Sequence, residues 1–286
     1  MSASELLLVW RLFRVDASRN RKRIALTVMA IAWGTLSIVL LLSFGEGMKR
    51  SFHRTSRGMG EGIGVLWPGA TTKAYAGLPS GRAISFTDED PDLLAARIPE
   101  IAAISREYAK RVPVANGEKT VNARVRGVDP SFGEMRNVIP QEGGRFLNDM
   151  DSALKRRVVV LGDELATDLF GEADPVGKTV QINLSTFLVI GVMQPKVMMG
   201  MYSGPDKGQA SIPAPTFKAM FTDGKLNNMV YKPASPEVAD QAKWQIYRVL
   251  GRKYRFDPDD ERALGVWDTR ENQRITGNIA LGIQMF

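Results

Sequence analysis

Residues 24–44, IALTVMAIAWGTLSIVLLLSF, run for 21 residues without a charged side chain. An α-helix needs about 20 predominantly apolar residues to cross the hydrocarbon of a bilayer. Within lipid every backbone polar group must be satisfied inside the segment, which a helix does and an open loop does not. The run is longer than the apolar part of a signal peptide, and the residues after it, GEGMKRSF, contain no small-residue cleavage pattern. A buried core helix is usually shorter and carries a polar stripe. The sequence therefore predicts a transmembrane helix over 24–44. It leaves a short segment, 1–23, on one side and a large domain, 45–274, on the other.

Charge near the span sets its direction. Arg11, Arg14, Arg19, Arg21, Lys22 and Arg23 precede it, against Glu5 and Asp16, while Lys49, Arg50, Arg54 and Arg57 follow it. The bias favours the N-terminus in the cytoplasm, which places the large domain outside. The net charge of +7 is concentrated at this end, so it points to membrane lipid as a partner and not to nucleic acid. Within the N-terminal segment, SELLLVWRLFRV (4–15) sets Leu6, Leu7, Trp10 and Phe13 at helical spacing, with Arg11 and Arg14 beside them. That pattern predicts an amphipathic helix lying in the membrane interface. It suits a docking helix for a cytoplasmic partner and a plain interfacial anchor equally well.

The composition leaves little material for catalysis. There are no cysteines, which removes disulfides and thiolate metal sites, and there is one histidine, His53. No G-x-S-x-G or H-E-x-x-H pattern is present. GEADPVGKT (171–179) ends like a phosphate loop, but five residues separate Gly171 from Gly177 where four are needed, and Glu172 and Asp174 would repel a polyphosphate. It reads instead as a helix end, a turn over Asp174-Pro175-Val176-Gly177 and a strand start. Two acidic clusters, Asp88/Glu89/Asp90/Asp92 and Asp257/Asp259/Asp260/Glu261, lack the alternate spacing and central glycine of a calcium loop. Acid just before a helix favours the positive end of its dipole, which accounts for the first cluster. Met193, Met198, Met199 and Met201 crowd a loop with Gly200 and Gly204. Methionine adapts to irregular apolar surfaces, so Met198, Met199 and Met201 are candidates for contact with an extracytoplasmic partner or an apolar ligand; a loop tucked onto the core is the plainer reading.

Helical and strand patterns interleave through the outer domain. IGVLW (63–67) reads as a strand closed by Pro68-Gly69, and 69–82 as a loop. Thr87, with Asp90 three residues on, has the form of a capping box before Leu93, Leu94 and Ile98. KTVNARVRGV (119–128) alternates, with Val121, Ala123 and Val125 on a buried face and Asn122, Arg124 and Arg126 on a solvated one. RVVVL (157–161) reads as a fully buried strand. Asp163 is expected to cap a helix presenting Leu165, Ala166, Leu169 and Phe170. KTVQINL (178–184) and TFLVIGVM (186–193) read as a hairpin. Ser235-Pro236 opens a helix with Val238, Ala242, Ile246, Val249 and Leu250 on one face, stopped at Gly251. The expectation is an α+β domain in two subdomains, with antiparallel sheet and no sequence repeat.

The order VVVLGDELATDLFGEADPVGKTVQINLSTFLVIGVM (158–193), led by GGRFLNDMD (143–151), resembles the periplasmic core domain of MacB-like, FtsX-related ABC transporter permeases. The resemblance covers the span and the whole outer domain. It implies a non-catalytic subunit in the bacterial inner membrane with its main domain in the periplasm. It also implies a dimer with a second permease copy or a paralogue, and an ABC ATPase subunit that binds ATP and magnesium, with no cofactor in this chain. A periplasmic adaptor protein is a further partner of such systems. ATP-driven motion would pass through the spans to the outer domains, a mechanism termed mechanotransmission, for export or lipoprotein-type transport. On this reading 4–15 is the cytoplasmic helix near the ATPase, and the docking residues are Leu6, Leu7, Trp10, Arg11, Phe13 and Arg14. ITGNIALGIQMF (275–286) is too short to cross and looks like the start of a second span, as in a truncated permease. The competing reading is a single-pass membrane-anchored sensor or ligand-binding domain. A membrane-anchored hydrolase would have to rest on a Ser-Lys or paired-carboxylate site.

Overall fold

A computed structural model of the chain describes residues 20–59 (backbone alone from 48), 62–196, 202–222 and 224–269. Helix α1 spans Arg21–Met59, and its stretch Arg21–Gly47 is long and apolar enough to cross a membrane. Leu26, Trp33 and Phe44 on it are each about two-thirds exposed. The hydroxyls of Thr27 and Thr35 turn back onto the carbonyls of Arg23 and Ile31, so the helix satisfies its own polar side chains.

From residue 62 the chain forms a separate unit. Its strands are β1 (Gly64–Pro68), β2 (Ile101–Asn116), β3 (Lys119–Val128), β4 (Val158–Leu161), β5 (Thr179–Ile182), β6 (Ser185–Val192), β7 (Gln209–Pro213), β8 (Asn228–Pro233) and β9 (Leu264–Asp268). The helices between them are α2 (Asp90–Arg97), α3 (Ser131–Met135), α4 (Asp149–Ala153), α5 (Asp163–Phe170), α6 (Ala214–Met220) and α7 (Ala239–Tyr254). The 16-residue β2 organises the rest. One edge of β2 pairs with β3 from Glu107 to Asn116. Its other edge pairs with β8 from Ile101 to Glu107, and then with β5 at Val114 and Ala115. β8 continues to β1 and β1 to β9, giving a four-strand antiparallel sheet. On the far side, β3 pairs with β7, β7 with β4, β4 with β6, β6 with β5, and β5 returns to β2. Those six strands close into a ring, which leaves them no open edge. The α+β class and the division into two parts thus hold, with one strand shared between the parts. Beyond the expected antiparallel pairing, β3–β7 and β4–β6 are parallel.

One core runs from Ile246 and Leu250 of α7 through Leu66 and Met229 to Val125 and Phe187. A second, on the opposite face, joins Ile63, Val65 and Val230 to Phe132 and Met135 of α3 and to Val158 and Val160 of β4. Sheet covered on both faces explains the unbroken apolar runs such as VVVL. It also corrects the alternating reading of β3, because Arg126, expected on a solvated face, is 2% exposed.

Helix ends differ from the sequence expectation in three places. Asp90 accepts the Thr87 amide at 2.8 Å, half of a capping box, but the Thr87 hydroxyl takes Lys253 Nζ instead, and the N-cap position falls on Glu89. Gly162, and not Asp163, occupies the N-cap of α5. α7 starts at Ala239 and runs past Gly251 to Tyr254, ending at Arg255 in the left-handed conformation.

The glycines of the 143–193 motif are explained by close approach. A Cβ on Gly162 would lie 2.1 Å from the carbonyl oxygen of Lys207. A Cβ on Gly191 would lie 2.6 Å from the carbonyl oxygen of Arg145. Backbone there meets backbone, and any side chain would force the two segments apart. Arg145 itself grips Asp151 with two contacts of 2.6 and 3.1 Å, while Asn148 and Asp151 form a complete capping box on α4.

Candidate functional site

The docking residues Leu6, Leu7, Trp10, Arg11, Phe13 and Arg14, and the loop residues Met198, Met199 and Met201, lie outside the described residues. The side chain of His53 does too, while Met193 is buried in the second core. The acidic clusters are tied to their own neighbours. Asp260 accepts from the Thr72 amide and hydroxyl, both at 2.6 Å, and strapping of the 69–82 loop is the result. Asp90 receives Lys253 and Tyr254, and Asp92 receives Arg106. These are structural ties, as the helix-dipole reading of the first cluster anticipates.

The most unusual chemistry lies where β2 leaves the four-strand sheet for the ring. Arg126 on β3, Arg136 just after α3, Glu107 on β2 and Asp206 at the end of the β6–β7 crossover are all nearly inaccessible. Asp206 takes Arg126 Nη1 at 2.7 Å, Lys196 Nζ at 2.8 Å and Arg136 Nη2 at 3.3 Å. Burial alone would raise the Asp206 carboxyl, but the three cations outweigh it and hold the group well below the usual carboxylate range. Burial lowers Lys196 to about 8, against the pull of Asp206. The Lys196 ammonium also donates to the Arg136 carbonyl at 2.8 Å. Lys196 and Asp206 stand at the two ends of the crossover, so their ion pair fastens both ends to one point.

Tyr202, inside that crossover, joins the cluster to the four-strand sheet. Its hydroxyl donates to Glu107 Oε2 at 2.6 Å, and Asn228 Nδ2 on β8 donates to the same oxygen at 2.7 Å. Burial first, and then the Glu107 charge, push the Tyr202 phenol well above its ordinary value, so it is a fixed hydrogen-bond donor. The ring meets Trp67 of β1 edge-on at 5.6 Å and Trp267 of β9 at 6.0 Å, and Arg136 lies over it at 4.8 Å.

The chain enters and leaves this unit at one place. The Thr269 hydroxyl accepts from the Ile63 amide at 3.1 Å and donates to the Ile63 carbonyl at 3.0 Å, and the Thr269 amide donates to that carbonyl at 3.1 Å. β1, which follows α1, and β9, which leads out, are therefore clipped together beyond their ladder. These groups hold one another in place; their acids and bases are mutually neutralised in a dry setting, which suits load-bearing and not proton transfer.

Sequence reasoning missed this junction. Arg126 has the period of a solvated residue, and Glu107, Arg136 and Asp206 are far apart in the chain. The one available signal was a run of polar residues, Arg124 and Arg126, in a strand that continues into apolar Gly127-Val128 without a turn.

The model for the MacB-like periplasmic core domain matches residues 24–249. The macrolide export ATP-binding/permease protein MacB of Chlorobaculum tepidum is 27% identical over 259 residues, which is 90% of this chain and 39% of that protein. The pyoverdine export ATP-binding/permease protein PvdT of Pseudomonas aeruginosa is 27% identical over 88% of this chain and 36% of its own length. The chain thus spans about two-fifths of the length of the curated relatives it matches. Among solved structures, the periplasmic region of MacB from Actinobacillus actinomycetemcomitans superposes with a TM-score of 0.58 at 17% identity, covering 78% of this chain and 95% of that one. The extracellular domain of the ABC-type transporter YknZ from Gram-positive bacteria gives 0.58 at 18% identity, covering 71% and 99%.

Proposed function

This chain belongs to the family of MacB-like periplasmic core domains, and from that premise we propose that it works as the membrane-anchored outer part of an ABC transporter permease, passing on motion driven by ATP hydrolysis in a partner. The ATPase subunit binds ATP and magnesium and docks against the N-terminal segment through Leu6, Leu7, Trp10, Arg11, Phe13 and Arg14. A second permease copy or a paralogue completes a dimer in the inner membrane, and the outer domain faces the periplasm, where an adaptor protein is a further partner. The export wording in the relatives' names supports outward transport. The observation that carries the reading is the Ile63–Thr269 clip: the strand fed by an apolar helix and the strand that leads out of the unit are tied, so displacement of one loads the other.

The test is native mass spectrometry of the tagged protein extracted from its own membranes. Co-extraction of an ATPase with a permease subunit supports the reading. A subunit at the mass of this sequence with no ATPase overturns it and favours a single-pass sensor. Co-extraction that survives Leu7→Asp and Trp10→Asp removes the docking role of the N-terminal helix.

A further inference from the structure

All strand pairing between the four-strand sheet and the ring runs through β2 among the described residues. On one edge β2 is paired to β8 up to Glu107 and to β5 only from Val114. Between those points that edge has no strand beside it, and the Ala109 amide there is taken by the Asn227 side chain. A single strand crossing such a gap bends more easily than a sheet paired on both edges. Load arriving at β1 and β9 would be lost in that bend unless something spans it. On one face of β2, Arg106 bonds Asp92 and Asp129, which ties β2 to the start of α2 and to the residue after β3 but does not reach β1 or β9. On the opposite face stands Glu107, and above it Tyr202. Tyr202 touches Trp67 and Trp267 on the strands through which the chain comes in and goes out. The same side chain is hydrogen-bonded to Glu107 at the bend and lies under Arg136, which is bonded to Asp206 at the foot of β7.

We infer that Tyr202 is a brace that locks the β1–β9 pair to the ring across the bend in β2, so that the two parts of the outer domain turn as one body. It rests on the permease reading only for the source of the load. The aromatic contacts carry the sideways part, since a ring wedged between two indoles resists sliding. The short bond to buried Glu107 fixes the ring's rotation, because in a dry site a broken bond leaves an uncompensated carboxylate. Among the groups of the junction, Tyr202 is positioned for stiffness and not for fold stability alone.

The absence of cysteine makes the test direct. Spin labels go onto Arg262→Cys, beside β9, and Thr186→Cys, on β6, both exposed positions on either side of the bend. A control pair, Asn122→Cys and Thr186→Cys, lies wholly in the ring. Double electron–electron resonance is read on the full chain in lipid nanodiscs, without nucleotide or ATPase. Expected is one narrow distance distribution across the bend in the parent. In Tyr202→Ala that distribution broadens or splits while the control pair stays narrow; in Tyr202→Phe, which keeps the ring contacts and loses the Glu107 bond, it broadens less. An unchanged distribution across the bend in Tyr202→Ala overturns the brace. So does equal broadening of the control pair, which would mean that Tyr202 merely holds the ring folded. Neither result depends on an ATPase, so failure here leaves the permease reading standing, and loss of that reading leaves the brace to be judged on the distances.

Discussion

Replacing Asp206 by Asn keeps the shape of the side chain and removes the charge on which three buried cations converge. Arg126, Lys196 and Arg136 approach it at 2.7, 2.8 and 3.3 Å. At an effective dielectric of about 20, each contact carries roughly 5–6 kcal/mol of Coulomb energy, most of which offsets the cost of taking the ions out of water. What remains visible when one member of such a cluster is removed is about 3–5 kcal/mol. After the change, Glu107 is the one carboxylate left in the cluster for three cations. With a urea dependence of about 2 kcal/mol per molar, the unfolding midpoint should fall by roughly 1.5–2.5 M. The assay is urea titration of the full chain in detergent, followed by tryptophan fluorescence, with Trp67 and Trp267 close to the site as reporters. Asp168→Asn, on the exposed face of α5, should stay within about 0.5 kcal/mol of the parent. The pH dependence fixes the cause. The folded Asp206 carboxyl lies below its unfolded value of about 3.9, so its contribution is complete above that pH and is lost as pH falls toward the folded value. The gap between parent and variant should therefore be level from about pH 5 to 7 and narrow below about pH 4. A midpoint that moves no further than that of Asp168→Asn refutes the reasoning.

Lys196 gives a slope of the same sign in a higher pH window, because its folded value is held down too, here by burial. Its folded value of about 8 lies below the unfolded value near 10.4, so the unfolded chain binds more protons between the two and stability should rise with pH across that window; Lys196→Met should remove the rise, and equal pH profiles for parent and variant would count against the buried ammonium. Gly162→Ala puts a methyl 2.1 Å from the Lys207 carbonyl oxygen and should cost about 1–3 kcal/mol as the segments part, measured by the same titration; a neutral result would mean that the crossover shifts freely. Leu184, at φ +68° in the β5–β6 turn and 93% exposed, gains nothing from burial and sits where glycine is at ease. Leu184→Gly beside Asn183, itself at φ +46°, should raise stability by about 0.4–1 kcal/mol, with a lowered midpoint as the refuting outcome.

Much of the scaffold was legible in the chain because it depends on neighbours in sequence. The uncharged run 24–44 gave the apolar helix, the period-2 and apolar runs gave β3 to β6, and Asp174-Pro175-Val176-Gly177 gave the turn between α5 and β5. The family motif was legible as well, though the reason for its glycines was not, since Gly162 and Gly191 answer to the backbone of Lys207 and Arg145 from other segments. What the tertiary structure decided was the closure of six strands into a ring, the burial of Arg126 on a strand that reads as half-solvated, and the meeting of Glu107, Arg136, Lys196, Tyr202 and Asp206. Hydrophobic period reports which face of an element is covered only when one face is covered. Once a second layer lies on the other side, a polar residue there is buried too, and whether it is tolerated depends on charges delivered from distant parts of the chain.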